Sequence, residues 1–480
     1  MPGQVIRVYP ASGANAMLPL TPSNNYTPTI LFCGGQHMDD YSWGNYSYPF
    51  VNTWTLPASS DCQRITPEPT DGSSPAYVQD DKLPIGRTMG QFIALPDGTL
   101  LIINGGQNGT AGYAQGTLTV AQNAMPFGES LASAPVGQPA IYNPNAPAGS
   151  RWSTANLGSS NIPRLYHSSA LLLPDGSVMV AGSNPNIDVN LTTIYPTTYT
   201  AEYYYPPYYS ATRPVPQNIP TTLSYGGEYF DISIPSTSYS GAANDAADNT
   251  TIWLIRSGFT THAMNMGQRI LQLNHTYTVE SNGTIILHTT QLPPNPNVFQ
   301  PGPAMLFVTV NGIPSNGSFV IIGNGQFGDQ PTSPVAVLPT NVRSSSASGL
   351  APSSSSSSGS NANSSHTGLI IGAVVAGIAA VGVIGAVFGI CIARRRRSAG
   401  VGGSDQKYPT SSAGLGGFAG HEIRNSDSSA FVPFRQSNHS EAALMHSPYR
   451  DQFEPRASSQ FAQSSEFDRD AYPIRSGTPR

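Results

Sequence analysis

Residues 91–106 read QFIALPDGTLLIINGG and residues 168–183 read SSALLLPDGSVMVAGS. Each is a short apolar run, the turn Leu-Pro-Asp-Gly, and a second apolar run. Asp-Gly between two strand-forming runs is a strong hairpin signal, because the turn needs residues that accept positive φ. The pattern predicts strands over 92–95 and 99–104, and again over 169–173 and 177–181. The first copy runs on into Gly105-Gly106 and the second into Gly182-Ser183. A hairpin recurring with the same turn and the same exit is a repeating unit.

Working outward, Ile141-Tyr142-Asn143-Pro144 and Arg151-Trp152 read as the outer strands of the same unit. Hairpin, Gly pair, Tyr-Asn-Pro and then Trp is the sequence form of a kelch-type propeller blade. Residues 30–35 (ILFCGG), with Trp54 following, form a third, degenerate copy. At about 50 residues per blade, residues 1–205 supply about four blades. Past the aromatic and proline cluster at 203–209 the pattern changes. Runs at 224–234, 250–256, 270–279, 283–289 and 304–310 read as evenly spaced strands of a β-sandwich. The 48 glycines and 43 prolines among 480 residues suit an all-β chain of short strands and tight turns.

The C-terminal part is of another kind. Residues 339–367 are a serine-dominated stalk with no means of building a core. Residues 368–393 carry no charge and are long enough to span a bilayer as one helix. Arg394, Arg395, Arg396 and Arg397 follow at once and place that side in the cytoplasm. Residues 394–480 lack hydrophobic periodicity and read as a disordered cytoplasmic tail. Nine glycosylation sequons precede the apolar span, at Asn25, Asn45, Asn108, Asn190, Asn249, Asn274, Asn282, Asn316 and Asn363, against Asn438 alone after it. The expected setting is a single-pass plasma-membrane protein with its N-terminal domains outside. The opening MPGQVIRVYP lacks a basic region followed by an apolar one, so the external part has no visible signal peptide.

The net charge of −5 gives no nucleic-acid footprint. Three cysteines exclude a disulfide-dense scaffold and a cysteine zinc cluster. No Ser-His-Asp motif, phosphate loop or dinucleotide fingerprint occurs. Among the histidines, His37 and His366 lie in polar stretches, His275 sits within the Asn274 sequon, and His288 alternates on a strand, so these read as surface residues. His167 follows Tyr166 where an inner blade strand begins, a place from which side chains face a propeller axis. Counted back from the Pro-Asp-Gly turn, the other copy has Thr88-Met89 at the same place, so the Tyr-His pair does not build the repeat. His262 lies in a polar, turn-rich segment between sandwich strands. Two imidazoles and a phenol suit copper(II), which favours N and O donors. A core tyrosine with surface histidines fits the same residues.

The stretch from Arg164 to Asn186, RLYHSSALLLPDGSVMVAGSNPN, resembles the fungal glyoxal oxidases, copper radical oxidases related to galactose oxidase. So do residues 203–209 with Arg213-Pro214, residues 223–227 (LSYGG), residues 256–269 (RSGFTTHAMNMGQR) and residues 301–312 (PGPAMLFVTVNG). The resemblance runs in order from about residue 5 to residue 335. It implies a kelch propeller over 1–205 and a galactose oxidase-like, early-set immunoglobulin-like domain over 206–338, with a sandwich loop carrying one copper ligand up the propeller axis. It also implies one copper held by Tyr166 as the axial tyrosine, by His167 and by His262. Tyr166 would be the catalytic proton acceptor. Small aldehydes of the glyoxal or methylglyoxal type and O2 would be the substrates, with hydrogen peroxide released. Cys33-Gly34-Gly35 and Asp61-Cys62 resemble a disulfide pair of such chains.

The family's copper also takes a tyrosine bonded to a cysteine, and that pair is expected upstream of Met1. The chain is therefore expected to be the C-terminal part of a larger membrane-anchored oxidase, inactive as it stands. A competing expectation is a non-catalytic surface protein that binds cell-wall carbohydrate on the same scaffold.

Overall fold

The computed structural model describes residues 2–43, 49–262, 264–345 and 431–433. They are almost wholly β-structure, with one short α-helix, Ala243–Asp248. Three four-stranded antiparallel sheets, here blades A, B and C, precede a two-sheet sandwich, and among the described residues no closed barrel is formed.

Blade A orders Ala14–Met17, Ile30–Cys33, Cys62–Ile65 and Tyr77–Gln79 from inside outward. Blade B orders Gln91–Ala94, Leu100–Ile103, Ala140–Tyr142 and Trp152–Ser153. Blade C has Ser168–Leu172, Val178–Gly182 and Glu202–Tyr204. The two Asp-Gly turns are built alike. The Asp97 carboxylate accepts from the Thr99 amide (3.0 Å) and hydroxyl (2.6 Å), and Asp175 accepts from the Ser177 amide (3.0 Å) and hydroxyl (2.6 Å).

Three differences from the sequence reading stand out. The first is that the described residues of 1–205 hold strands of three blades, not about four. A long hairpin, Gly106–Tyr113 with Pro126–Pro135, is inserted within blade B and belongs to no blade sheet. The second is that Phe431–Pro433, in the tail expected to be disordered, pairs antiparallel with Glu202–Tyr204 as the fourth strand of blade C. Residues 168–205 supply only three strands, and an open edge leaves N–H and C=O groups without partners; a proline at an edge costs no ladder bond. The third is that the run 270–279 breaks at Asn274 into Arg269–Leu273 and His275–Val279, which lie in different sheets. Among the described residues no helix is long and apolar enough to cross a membrane, and the expected span at 368–393 lies outside them, as does most of the stalk.

Two cores result. One lies within the sandwich, around Leu254, Leu306, Val308 and Ile322. The other runs through the blades and continues into the sandwich's outer face through Trp253, Ile255, Ile270, Met305 and Phe307. The turns of the blades dock on that face. Blade A instead pairs along the edge of the sandwich sheet, where the Leu20 amide donates to the Ile270 carbonyl (3.0 Å), and blade B meets the face where the Thr309 hydroxyl donates to the Pro96 carbonyl. A Cβ at Gly98, whose φ is +85°, would lie 2.6 Å from the Trp253 ring, so only glycine fits that turn. Blade C is tied by Arg213, which donates to the carbonyls of Asp175, Pro314 (2.8 Å) and Ser315 (2.7 Å).

Cys33 and Cys62 face each other on adjacent strands of blade A and are joined, with Cα atoms 4.1 Å apart. Closing a loop of this size stabilises by about 3–4 kcal/mol in the chain-entropy account. Of the sequons, Asn25, Asn249, Asn274, Asn282 and Asn316 are exposed, and Asn190 is partly so. Asn108 is half-buried on the inserted hairpin and donates to Ser133 (3.2 Å). Asn45 and Asn363 lie outside the described residues.

Candidate metal centre

The sandwich sends a second hairpin, Phe259–Thr261 with Met264–Met266, against the inner strands of all three blades. Its turn carries His262. Gln268 fixes its base, accepting from the Ala94 amide (3.0 Å) and donating to the Phe92 carbonyl (3.2 Å) of blade B. In blade C, Tyr166 and His167 close the segment that enters the inner strand. Arg164 anchors that segment through a buried ion pair with Glu202 (2.8 Å) and bonds to the carbonyls of Gly182 and Thr200. The Gln91 side chain of blade B donates to the Ser168 carbonyl (2.6 Å) from the other side.

His167 has φ +62°, in the left-handed region that side chains with a Cβ rarely enter. Met89 (+58°) and Ser12 (+49°) share it, and all three stand seven residues before the proline of their blade's turn. The kink therefore belongs to every blade, and only the side chain at it changes. His262 is left-handed too, at +54°.

These elements bring the three residues together. The Nε2 atoms of His167 and His262 are 3.3 Å apart. The Tyr166 ring stacks on His167 at 3.8 Å between centroids and lies 5.4 Å from the His262 ring. Burial pulls the His167 pKa down and the field of His262 adds to it, so the imidazole stays neutral, the form that binds a metal. Burial first, then a hydrogen bond with Tyr9, holds the Tyr166 phenol well above its ordinary pKa. With imidazole–metal bonds of about 2.0–2.1 Å, as for zinc, two nitrogens at this separation fit one ion. The donor set, two imidazoles and a phenol, is the N/O kind that copper(II) takes. Among the described residues no cluster of three His, Cys, Asp or Glu could hold a metal, so a metal at this place needs the tyrosine.

Sequence reading missed two residues here. Tyr9 lies edge-on to His262 at 5.5 Å and 6.4 Å from Tyr166, and Tyr113 of the inserted hairpin lies 6.2 Å from Tyr166. Tyr9, Tyr113, Gln115, Tyr166 and Ile187 line a cavity of about 220 Å3. The other histidines lie elsewhere. His288 bonds to Asp231 (2.7 Å), and His275, expected at the surface, is half-buried, which lowers its pKa to about 4.

A largely β scaffold thus converges two histidines and a tyrosine, from an inner blade strand and the sandwich hairpin, on one place. Comparison with known proteins places it further. Residues 1–208 match the family described as glyoxal oxidase N-terminus, and residues 213–322 the galactose oxidase-like early-set domain. The chain is 31% identical over 326 residues to "Aldehyde oxidase GLOX1" of Arabidopsis thaliana, covering 66% of this chain and 48% of that one. It is 32% identical over 314 residues to "Aldehyde oxidase GLOX" of Vitis pseudoreticulata, covering 64% and 53%. It is 30% identical over 253 residues to a galactose oxidase of Gibberella zeae, covering 52% and 31%. The chain belongs to the copper radical oxidase-like family of the glyoxal and galactose oxidases. It spans about half the length of the aldehyde oxidases it matches.

Proposed function

We propose that Tyr166, His167 and His262 hold one copper ion in a site that, together with a second redox centre, oxidises small aldehydes of the glyoxal or methylglyoxal type. The observation that carries this reading is the 3.3 Å approach of two imidazole nitrogens from different domains beside a buried phenol. In balance, the hydrate RCH(OH)2 and O2 give RCOOH and H2O2: one C–H and one O–H hydrogen leave with two electrons and end on dioxygen. Copper, when bound, supplies a one-electron acceptor and a Lewis acid. The two histidines bring their Nε2 atoms within 3.3 Å of each other. Tyr166, having lost its own proton on taking up the metal, would accept the substrate O–H proton, and Tyr9 orients its phenol. The cavity is smaller than the roughly 300–1,000 Å3 of drug-sized sites, which suits a substrate of a few heavy atoms.

The test is electron paramagnetic resonance of the copper(II)-loaded chain. Weak binding with hyperfine splitting from two nitrogens is expected. His167→Ala and His262→Ala should each cost more affinity than the roughly 10–100-fold typical of second-shell changes. A spectrum unmoved by either substitution sinks the assignment.

One observation favours a second reading, a non-catalytic carbohydrate binder. A cleft of about 420 Å3 on blade A is lined by Thr27, Thr29, Arg64, Thr66, Asp71 and Ser73, groups suited to sugar hydroxyls.

Residues 368–393 we place across the plasma membrane, with the blades outside and residues 394–480 in the cytoplasm. The uncharged run, the four arginines and the distribution of sequons support this. With residues 368–393 across the bilayer, Phe431–Pro433 would leave the edge of blade C, so that pairing retained in the membrane-bound protein would overturn the topology. In intact cells a tag after Arg480 is expected to resist external protease, and digestion of that tag would overturn the topology.

A further inference from the structure

His262 rides on a hairpin that leaves the sandwich between two neighbouring antiparallel strands, Thr250–Arg256 and Arg269–Leu273. The last register pair of that ladder is Arg256 opposite Arg269. Beyond it each strand reaches a glycine, Gly258 on one side and Gly267 on the other, and Gly267 takes φ +77°. Glycines at both feet constrain the backbone least, so the direction of the hairpin depends on what grips the end of the ladder. On the blade side the grip is Gln268. On the sandwich side it is the two arginines.

Arg269 Nη1 donates to the carbonyls of Asn297 (3.0 Å) and Val298 (2.5 Å), and Arg256 Nη2 donates to those of Gln300 (2.7 Å) and Pro301 (2.9 Å). The carbonyl between them, that of Phe299, accepts from the Tyr225 hydroxyl (2.6 Å). Five successive carbonyls of one loop are thus turned to side chains. The loop is itself held. The Phe299 ring is buried in the sandwich core, with the Arg256 guanidinium 5.2 Å above it, and Pro293, Pro294, Pro296 and Pro301 restrict the backbone.

As a device for stability alone the pair is a poor choice. Like charges directly opposite each other destabilise a sheet, and among the described residues no carboxylate pairs with either arginine. Two apolar side chains would close the ladder without that cost. What the arginines add is direction: four charge-assisted bonds onto one rigid loop. We propose that Arg256 and Arg269 are positioning residues, which brace the hairpin on the loop 297–301 and so bring His262 Nε2 beside His167. Their effect on a metal rests on the reading of His262 as a ligand; the brace itself does not.

The test replaces each arginine by methionine and by lysine and follows the hairpin without and with copper. Without metal, amide hydrogen exchange over Phe259–Thr261 and Met264–Met266 is expected to rise at least about tenfold in Arg269→Met, while exchange at Ile252 and Leu254 in the sheet stays as it was. With copper(II), affinity should fall about 10–100-fold, the range for groups that orient a ligand. The nitrogen hyperfine splitting should lose the part that His262→Ala also removes. Arg269→Lys keeps a charge and a donor but not the fork, and should recover part of both losses. Ile322→Val, in the buried sandwich core, is the control: it should lower the melting temperature and leave both readouts alone. Hairpin exchange unmoved by Arg256→Met and Arg269→Met overturns the proposal. So does a copper affinity that falls no further than in a core variant of equal melting temperature. Because exchange is read without metal, a copper spectrum indifferent to His262→Ala would sink the metal reading while the exchange result still decides the brace.

Discussion

Glu202→Ala is expected to cost about 3–5 kcal/mol of stability, because it leaves a buried guanidinium without its counter-charge. The Arg164 and Glu202 side chains are 3% and 4% exposed, and Glu202 accepts from Arg164 Nη2 at 2.8 Å and from the Ser160 hydroxyl at 2.8 Å. Arg164 keeps its bonds to the Gly182 and Thr200 carbonyls, but these carry no full charge. The damage reaches the site, since the Arg164 carbonyl accepts from the Gly105 amide (2.8 Å) and Tyr166 is two residues on. Copper affinity should therefore fall together with the denaturation midpoint. Replacing both partners by apolar groups of similar volume should restore much of the loss, because no charge is then stranded. A cost below about 1 kcal/mol for Glu202→Ala would mean the pair behaves as an exposed one and does not hold the segment.

How far such a network can be read from sequence depends on what each residue repeats. The Leu-Pro-Asp-Gly turns were legible because the turn itself demands those residues, and Gly98 and Gly176 take φ of +85° and +78°. Tyr166, His167 and His262 were legible because they break the repeat or stand in polar turns. Tyr9 was not, since it precedes the first blade strand and has no counterpart in register. Tyr113 was hidden in GQNGTAGY, which lacks alternation and whose Asn108-Gly109 pair reads as a turn, not as the strand it belongs to. The Arg164–Glu202 pair joins residues 38 apart, and no local pattern announces it. The blade count erred because the inserted hairpin consumes chain without adding a blade strand. The strand Ser318–Ile322 escaped because apolar residues on both faces erase the period-two signal by which strands are placed.

No peroxide above background is expected from the copper-loaded 1–480 chain with methylglyoxal and O2. Taking an aldehyde hydrate to an acid removes two electrons, and a single copper ion accepts one. The second needs another redox centre, which the family resemblance supplies as a tyrosine bonded to a cysteine. This chain has three cysteines, of which Cys33 and Cys62 are bonded to each other and Cys391 lies in the uncharged run 368–393. None is left to modify a tyrosine at the site. Tyr166 is a poor substitute, because no bonded cysteine sulfur lowers the potential at which its phenol is oxidised. The measurement is peroxide release by a coupled assay, with the His262→Ala chain as the background. Turnover within the ordinary enzyme range of about 1–10³ per second would place a second redox centre among Tyr9, Tyr113 and Tyr166. Tyr9→Phe and Tyr113→Phe, read by the same assay and by the radical signal in paramagnetic resonance, would then say which of them carries it.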